Sequence, residues 1–393
     1  MLSTKIFGLK TANQRFAKRR TANTALPGMV RLFLVAIGLI AITSCGGGST
    51  ASNPPAGKTG KIYVANFNSS NVTVIDGVTN ATATVSVGAN PLAIAADPTT
   101  NKIYIVNGVG KTVSVIDGAT GSTAATVQAG ESPEAIGINP TTNRIYVANS
   151  GDNTVTVIDG ANNSSSTINV GTTPVHVGVN PTTNKIYVVN FQSSDVTVID
   201  GATGATTTVP VGSASAPGDI AVNPTTNKIY VASSLNNNVT VIDGVTGATT
   251  TVPVGSVIEG SAPEPIAVNP ITNKIYVVNN QSNNVTVIDG ATNATTTVPV
   301  GRSPYAIAVN PTINKIYVLN SGDNSVTVID GASNTTSKVA AGTSPGGQIA
   351  VNPRANKIYV TNSKGNNVTV IDGATNNTTV VPAGNVPTVL VVN

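Results

Sequence analysis

An all-β fold of eight four-stranded blades around one axis, a β-propeller, is what this 393-residue chain predicts, and three observations predict it. The tripeptide Lys/Arg-Ile-Tyr recurs eight times, with its Tyr at 63, 104, 146, 187, 230, 276, 317 and 359. Eight Ile-Asp-Gly triplets keep step with it, at Asp76, Asp117, Asp159, Asp200, Asp243, Asp289, Asp330 and Asp372. The intervals of 41–46 residues match a propeller blade, and no stretch within them carries the 3.6-residue apolar period of a helix.

Ahead of the repeats, residues 1–44 read as a leader. Lys18-Arg19-Arg20 and Arg31 precede an apolar run from Leu32 to Ile42, too short to span a bilayer but suited to a signal peptide. The tetrapeptide Ile42-Thr43-Ser44-Cys45 resembles the lipobox of bacterial lipoproteins. That resemblance implies cleavage before Cys45 and acylation of its thiol, with each buried lipid CH₂ contributing about 0.8 kcal/mol of membrane attachment. The start is either Met1 or Met29, since Met29 to Ser44 alone forms a compact signal peptide. Residues 45–59 are rich in Gly, Ser and Pro and read as a tether. An exported protein, anchored through lipid at the periplasmic or outer surface of the envelope, is the expectation.

Residues 60–393 then read as one propeller. In the unit from Pro181 to Val222, Lys185–Asn190 is β-branched and aromatic, and Asp195–Asp200 alternates apolar with polar. A Thr- and Val-rich stretch covers 205–211, and Asp219-Ile220-Ala221-Val222 closes the unit. Gly, Pro, Asn and Ser bound every run. Such a sheet is apolar on both faces, and radial stacking shields both. The first unit lacks the strand that precedes Lys-Ile-Tyr elsewhere, whereas the last runs on through Pro387–Val392. The C-terminal strand is therefore predicted to complete the N-terminal blade.

Composition narrows the function. One His (His176) and one Cys (Cys45) are too few for a zinc site, a c-type haem attachment or a blue-copper centre. No metal and no cofactor are expected; the absence of Trp also weakens a quinone-cofactor dehydrogenase. Seven of the 21 Lys and Arg precede Cys45, leaving 14 basic against 17 acidic residues after it. No basic stripe remains to bind nucleic acid.

Tyr359-Val360-Thr361-Asn362 spells the signature of the YVTN β-propeller repeat family, and units such as Ile145–Asn149 and Ile316–Asn320 are close variants. The chain resembles that family, known from archaeal surface-layer and bacterial exported proteins, over residues 60–393. The resemblance implies a propeller but no single activity. Members often have seven blades, so seven is the alternative to eight.

Repeated residues are explained by blade geometry, whereas residues present once are candidates for a site. The Ile-Asp-Gly carboxylate is expected to accept backbone N–H bonds in a turn, its Gly to take φ > 0, and the Lys before Ile-Tyr to be a solvated charge. The tyrosines are expected between blades. The singular residues Glu131, Glu134, His176, Asp219, Glu264, Arg302 and Tyr305 fall at the start of each unit's last strand or in the crossover before it, with Glu259 in the longest crossover. Leu92, Gly346 and Thr388 are expected to match them in the remaining blades. All are placed at one mouth of the central channel, where they either form a polar pocket for a cation or amine, with His176 as proton carrier, or hydrate a wide opening. The expected function is a non-catalytic binding or scaffold module for a protein or small ligand. The alternative is a lactonase- or lyase-type enzyme acting at the same mouth.

Overall fold

The computed structural model describes residues 60–212, 216–255 and 263–393. The leader, the tether with Cys45, and the crossover carrying Glu259 lie outside the described residues. Thirty-two strands make eight antiparallel sheets of four among the described residues. The sheets stand in a ring as blades I–VIII, so the count is eight and not seven. Blade I joins Lys61–Asn66, Asn71–Asp76 and Thr82–Ser86 to the C-terminal strand Pro387–Val392. Ile62 faces Val392 and Val64 faces Leu390 across that closure, as the unit phase predicts.

Burial follows radius. The second strand from the axis is apolar on both faces because a blade packs on each side of it: Ile62, Tyr63, Val64 and Ala65 are all fully buried. The outermost strand has a single interior position, held by Val85 in blade I and Val252 in blade V, and its Thr residues face solvent. Thr fits this half-exposed pleated surface. The eight repeated tyrosines are the largest enclosed side chains. Burial pushes the phenols of Tyr104, Tyr187, Tyr230, Tyr276, Tyr317 and Tyr359 up to about 12.

Repeated polar residues serve as ties. The Asn that ends seven of the eight Tyr-containing strands (blade V has Ser233) reaches across its hairpin: Asn320 Nδ2 donates to Thr327 Oγ1 at 2.8 Å, and the same hydroxyl accepts from Gly301 N at 3.3 Å. In five blades the Asn of Asn-Pro bonds the next blade, as Asn139 Nδ2 does to Asn184 Oδ1 at 2.8 Å. The turn expected at Ile-Asp-Gly is present. Asp76 Oδ1 accepts from Thr79 N (2.9 Å), Val78 N (3.0 Å) and Thr79 Oγ1 (3.0 Å), which lowers its pKa.

Two expectations are corrected. The Gly of Ile-Asp-Gly does not take positive φ; the left-handed positions belong to residues such as Asn101 (φ 55°) and Asn143 (φ 51°). Gly118 is required instead by close approach, because its N–H donates to Asn101 O at 2.8 Å and a Cβ would collide with Asn101. The Lys before Ile-Tyr is not merely solvated either. Lys61 Nζ donates to Gly118 O at 2.9 Å and Lys228 Nζ to Gly290 O at 2.9 Å, each tying its blade to the next. Blade IV differs, since Lys185 Nζ pairs with Asp200 of its own blade at 2.7 Å.

Candidate functional site

The innermost strands place the site. Each lies at the end of its sheet's strand order, so one of its edges has no strand partner and faces the axis. In blade VIII, Thr361 N donates to Gln348 O at 3.0 Å, so the main chain of Gln348 faces its hairpin partner. The next residue, Ile349, then turns its N–H to the channel edge. By register its equivalents are Ile220, Ile266 and Leu390, opposite Val231, Val277 and Val64 respectively.

Asp219 occupies that edge. Its Oδ1 accepts from Ile220 N at 2.7 Å and lies 3.0 Å from His176 Nδ1, and its Oδ2 accepts from Ile266 N at 3.0 Å. One carboxylate thereby joins blades IV, V and VI. His176 is 6% exposed and Asp219 3%. Burial raises the Asp219 carboxyl, opposed by His176 and the two backbone N–H groups. With Nδ1 engaged, His176 Nε2 has no hydrogen-bond partner among the described residues, and it is not among their enclosed polar atoms that lack one.

The other predicted residues are mostly occupied elsewhere. His176 and Asp219 stand one residue before the channel-edge position, whereas Glu134 stands two before Ile136, so they face opposite sides of their sheets. His176 and Asp219 thus form a pair apart from Glu134 at this end of the strands. His176 shares its face with Gly178, where a Cβ would meet Val222 and Ile220 of blade V. Glu134 Oε1 accepts from Ser150 Oγ at 2.7 Å in its own blade. Glu131 pairs with Lys111 at 2.6 Å, and Arg302 Nε with Asp323 at 2.8 Å, both within crossovers and hairpin turns of the same end. Arg302 holds the Asp323 carboxyl at about 2. Tyr305 packs against the core around Tyr317 and Ile349. Glu264 lies in the inner strand Pro263–Asn269, but its side chain is outside the described residues. No three His, Cys, Asp or Glu side chains gather as a metal site among the described residues.

Gln348, not Gly346, is the blade VIII counterpart of Asp219. Its Oε1 accepts from Leu390 N of blade I at 2.9 Å, the bond that Asp219 makes to Ile266. Two glycines separate Pro345 from Gln348 where one separates Pro217 from Asp219, so the distance from the proline does not identify it. Counting back from Ile349-Ala350-Val351-Asn352 would have found it, as it finds Asp219 before Ile220-Ala221-Val222-Asn223.

No family model matches the sequence, and no curated protein does. Solved structures do. Apo AztD from Citrobacter koseri is 16% identical, with a TM-score of 0.66 over 85% of this chain and 97% of that one. The dihydro-heme d1 dehydrogenase NirN, in complex with DHE, is 13% identical, with a TM-score of 0.70 over 87% of this chain and 77% of that one. A streptogramin B lyase is 16% identical, with a TM-score of 0.53 over 64% of this chain and 82% of that one. The chain has the fold of a β-propeller. At these identities the likeness extends to architecture alone.

Proposed function

We propose that this protein is an exported, lipid-anchored propeller of the YVTN repeat type that binds a protein or small ligand at one mouth of its channel without catalysing a reaction. The observation that supports this is a division between repeated and singular residues. Repeated polar groups such as Asn320, Lys61 and Asp76 are engaged in ties and turns. Among the singular ones, Glu131, Glu134, Arg302 and Asp219 each hold a protein partner, whereas His176 Nε2 has none among the described residues. One imidazole nitrogen suits recognition; acid–base chemistry wants a second positioned group.

A lyase-type or lactonase-type enzyme is the second reading. It draws on the His176–Asp219 geometry, in which a carboxylate orients an imidazole, and on the solved likeness to a virginiamycin B lyase from Staphylococcus aureus whose histidine-to-alanine variant is described as catalytically inactive. Purified protein and its His176→Ala variant, given a panel of lactones and the cyclic depsipeptide quinupristin, separate the two. The binding proposal expects no turnover by either. Turnover by the unaltered protein that His176→Ala abolishes would replace it with the enzyme.

The anchor has its own test. Cys45→Ala is expected to shift the protein from the membrane to the soluble fraction, or to leave its precursor uncleaved. A processed variant still sedimenting with membranes would refute acylation at Cys45.

A further inference from the structure

We infer that the ligand seated at this mouth carries a protonated amine, with an ammonium N–H donated to His176 Nε2 and its charge balanced by Asp219. This deepens the binding proposal and rests on it.

Three features of the inner-strand edge lead here. First, the Asp219 carboxylate is 3% exposed and surrounded by N–H groups alone: those of Ile220, Ile266 and His176. Two of these are neutral peptide groups and the third is the imidazole Nδ1, so an ionised Asp219 has no permanent cation among its hydrogen-bond partners. No Lys or Arg side chain pairs with Asp219 among the described residues; Lys111 pairs with Glu131 and Arg302 with Asp323.

Second, an imidazole that gives its Nδ1–H to a carboxylate presents a lone pair at Nε2. That nitrogen is an acceptor. It receives a donor such as an ammonium N–H and repels a carboxylate or phosphate. His176 is 6% exposed, and among the described residues Nε2 has no partner.

Third, the protein contains its own comparison. Gln348 bridges blade VIII to blade I by accepting from Leu390 N at 2.9 Å, which is the bond Asp219 makes to Ile266 N at 3.0 Å. A neutral amide is therefore enough to tie one inner strand to the next. Charge and imidazole in blades IV and V exceed what the tie requires, and an ammonium ligand uses both.

Because His176 is the only histidine in the chain, its ring nitrogens give an unambiguous signal. Tag-free protein with ¹⁵N-labelled histidine, held at neutral pH, is titrated with n-butylammonium chloride, sodium butyrate or potassium chloride. The expected result is a neutral ring protonated on Nδ1, whose Nε2 resonance moves saturably with n-butylammonium and not with the other two salts. Asp219→Asn is expected to weaken that response at least tenfold; if this variant does not fold, the titration of the unaltered protein decides alone. A ring protonated on Nε2 overturns the assignment. Saturation by butyrate instead of the amine also overturns it while keeping the mouth as a binding site. Silence toward all three salts removes the amine as well. In that case native mass spectrometry of protein taken from its envelope judges the binding proposal separately, by whether a bound species is retained.

Discussion

Asp219 and Ile-Asp-Gly aspartates such as Asp76 and Asp200 carry the same side chain and respond to pH with opposite sign. In the turns, backbone and hydroxyl donors lower the carboxyl, as Thr79 N, Val78 N and Thr79 Oγ1 do for Asp76. Lys185 is the largest influence on Asp200 and takes it further down. These groups stabilise the fold above the ordinary carboxylate range, and that contribution is lost as pH falls through their lowered values. Asp219 is raised by burial, so the folded chain holds its proton more tightly than the unfolded chain does. Its contribution is greatest below the ordinary carboxylate range and declines as pH rises through the raised value. Asp219→Asn keeps the shape but turns an amide toward one of three donors, a loss of about 1–3 kcal/mol. The melting-temperature gap between unaltered protein and variant is expected to be widest near about pH 4 and to narrow toward about pH 8. A gap that widens with pH would show that the folded chain lowers the Asp219 carboxyl instead of raising it.

At the level of the blade, what was legible depended on whether a residue's partners lie within its own unit. Four strands per unit, the Asp76-type turn and the buried tyrosines could be read because each follows from local alternation, turn chemistry or side-chain character. Lys61 could not be read, since its acceptor is the carbonyl of Gly118 in the next blade. Gly118 differs, because its partner lies within its own unit but in another turn of it. Its close contact is with Asn101 of the neighbouring hairpin, which takes the left-handed conformation that had been given to the glycine. Within the candidate site, His176 and Asp219 were both picked out, but their pairing was not. A bulge after Pro174 and another after Pro217 shift the register by one, and a one-residue shift exchanges the two faces of a strand.

Closure of the ring belongs to the whole molecule. The C-terminal strand completes blade I, and ties converge on the seam it shares with blade VIII. Lys357 Nζ donates to Gly77 O at 2.7 Å, Leu390 N to Gln348 Oε1 at 2.9 Å, and Asn393 N to Lys61 O at 2.9 Å within blade I. Val389, Leu390 and Val391 are each at most 2% exposed. Burying three such side chains contributes roughly 5–9 kcal/mol in all, comparable with the net stability of about 5–15 kcal/mol of an ordinary folded domain. Removal of residues 387–393 is therefore expected to abolish cooperative unfolding and to expose the Lys61–Asn66 strand to limited proteolysis. A truncated chain melting within a few degrees of the full one would mean that the ring does not depend on this strand.

The amino-acid sequence by itself determined the number of blades, the order of strands within each and the sharing of blade I by the two chain ends. These are properties of a repeated local pattern, and eight copies state it eight times. Only the tertiary structure decided which singular residues meet. His176 and Asp219 are 43 positions apart, and their contact at 3.0 Å exists because consecutive inner strands stand side by side at the axis. Repetition specifies the unit, but the relation between units is a matter of packing, and the candidate site is built from that relation.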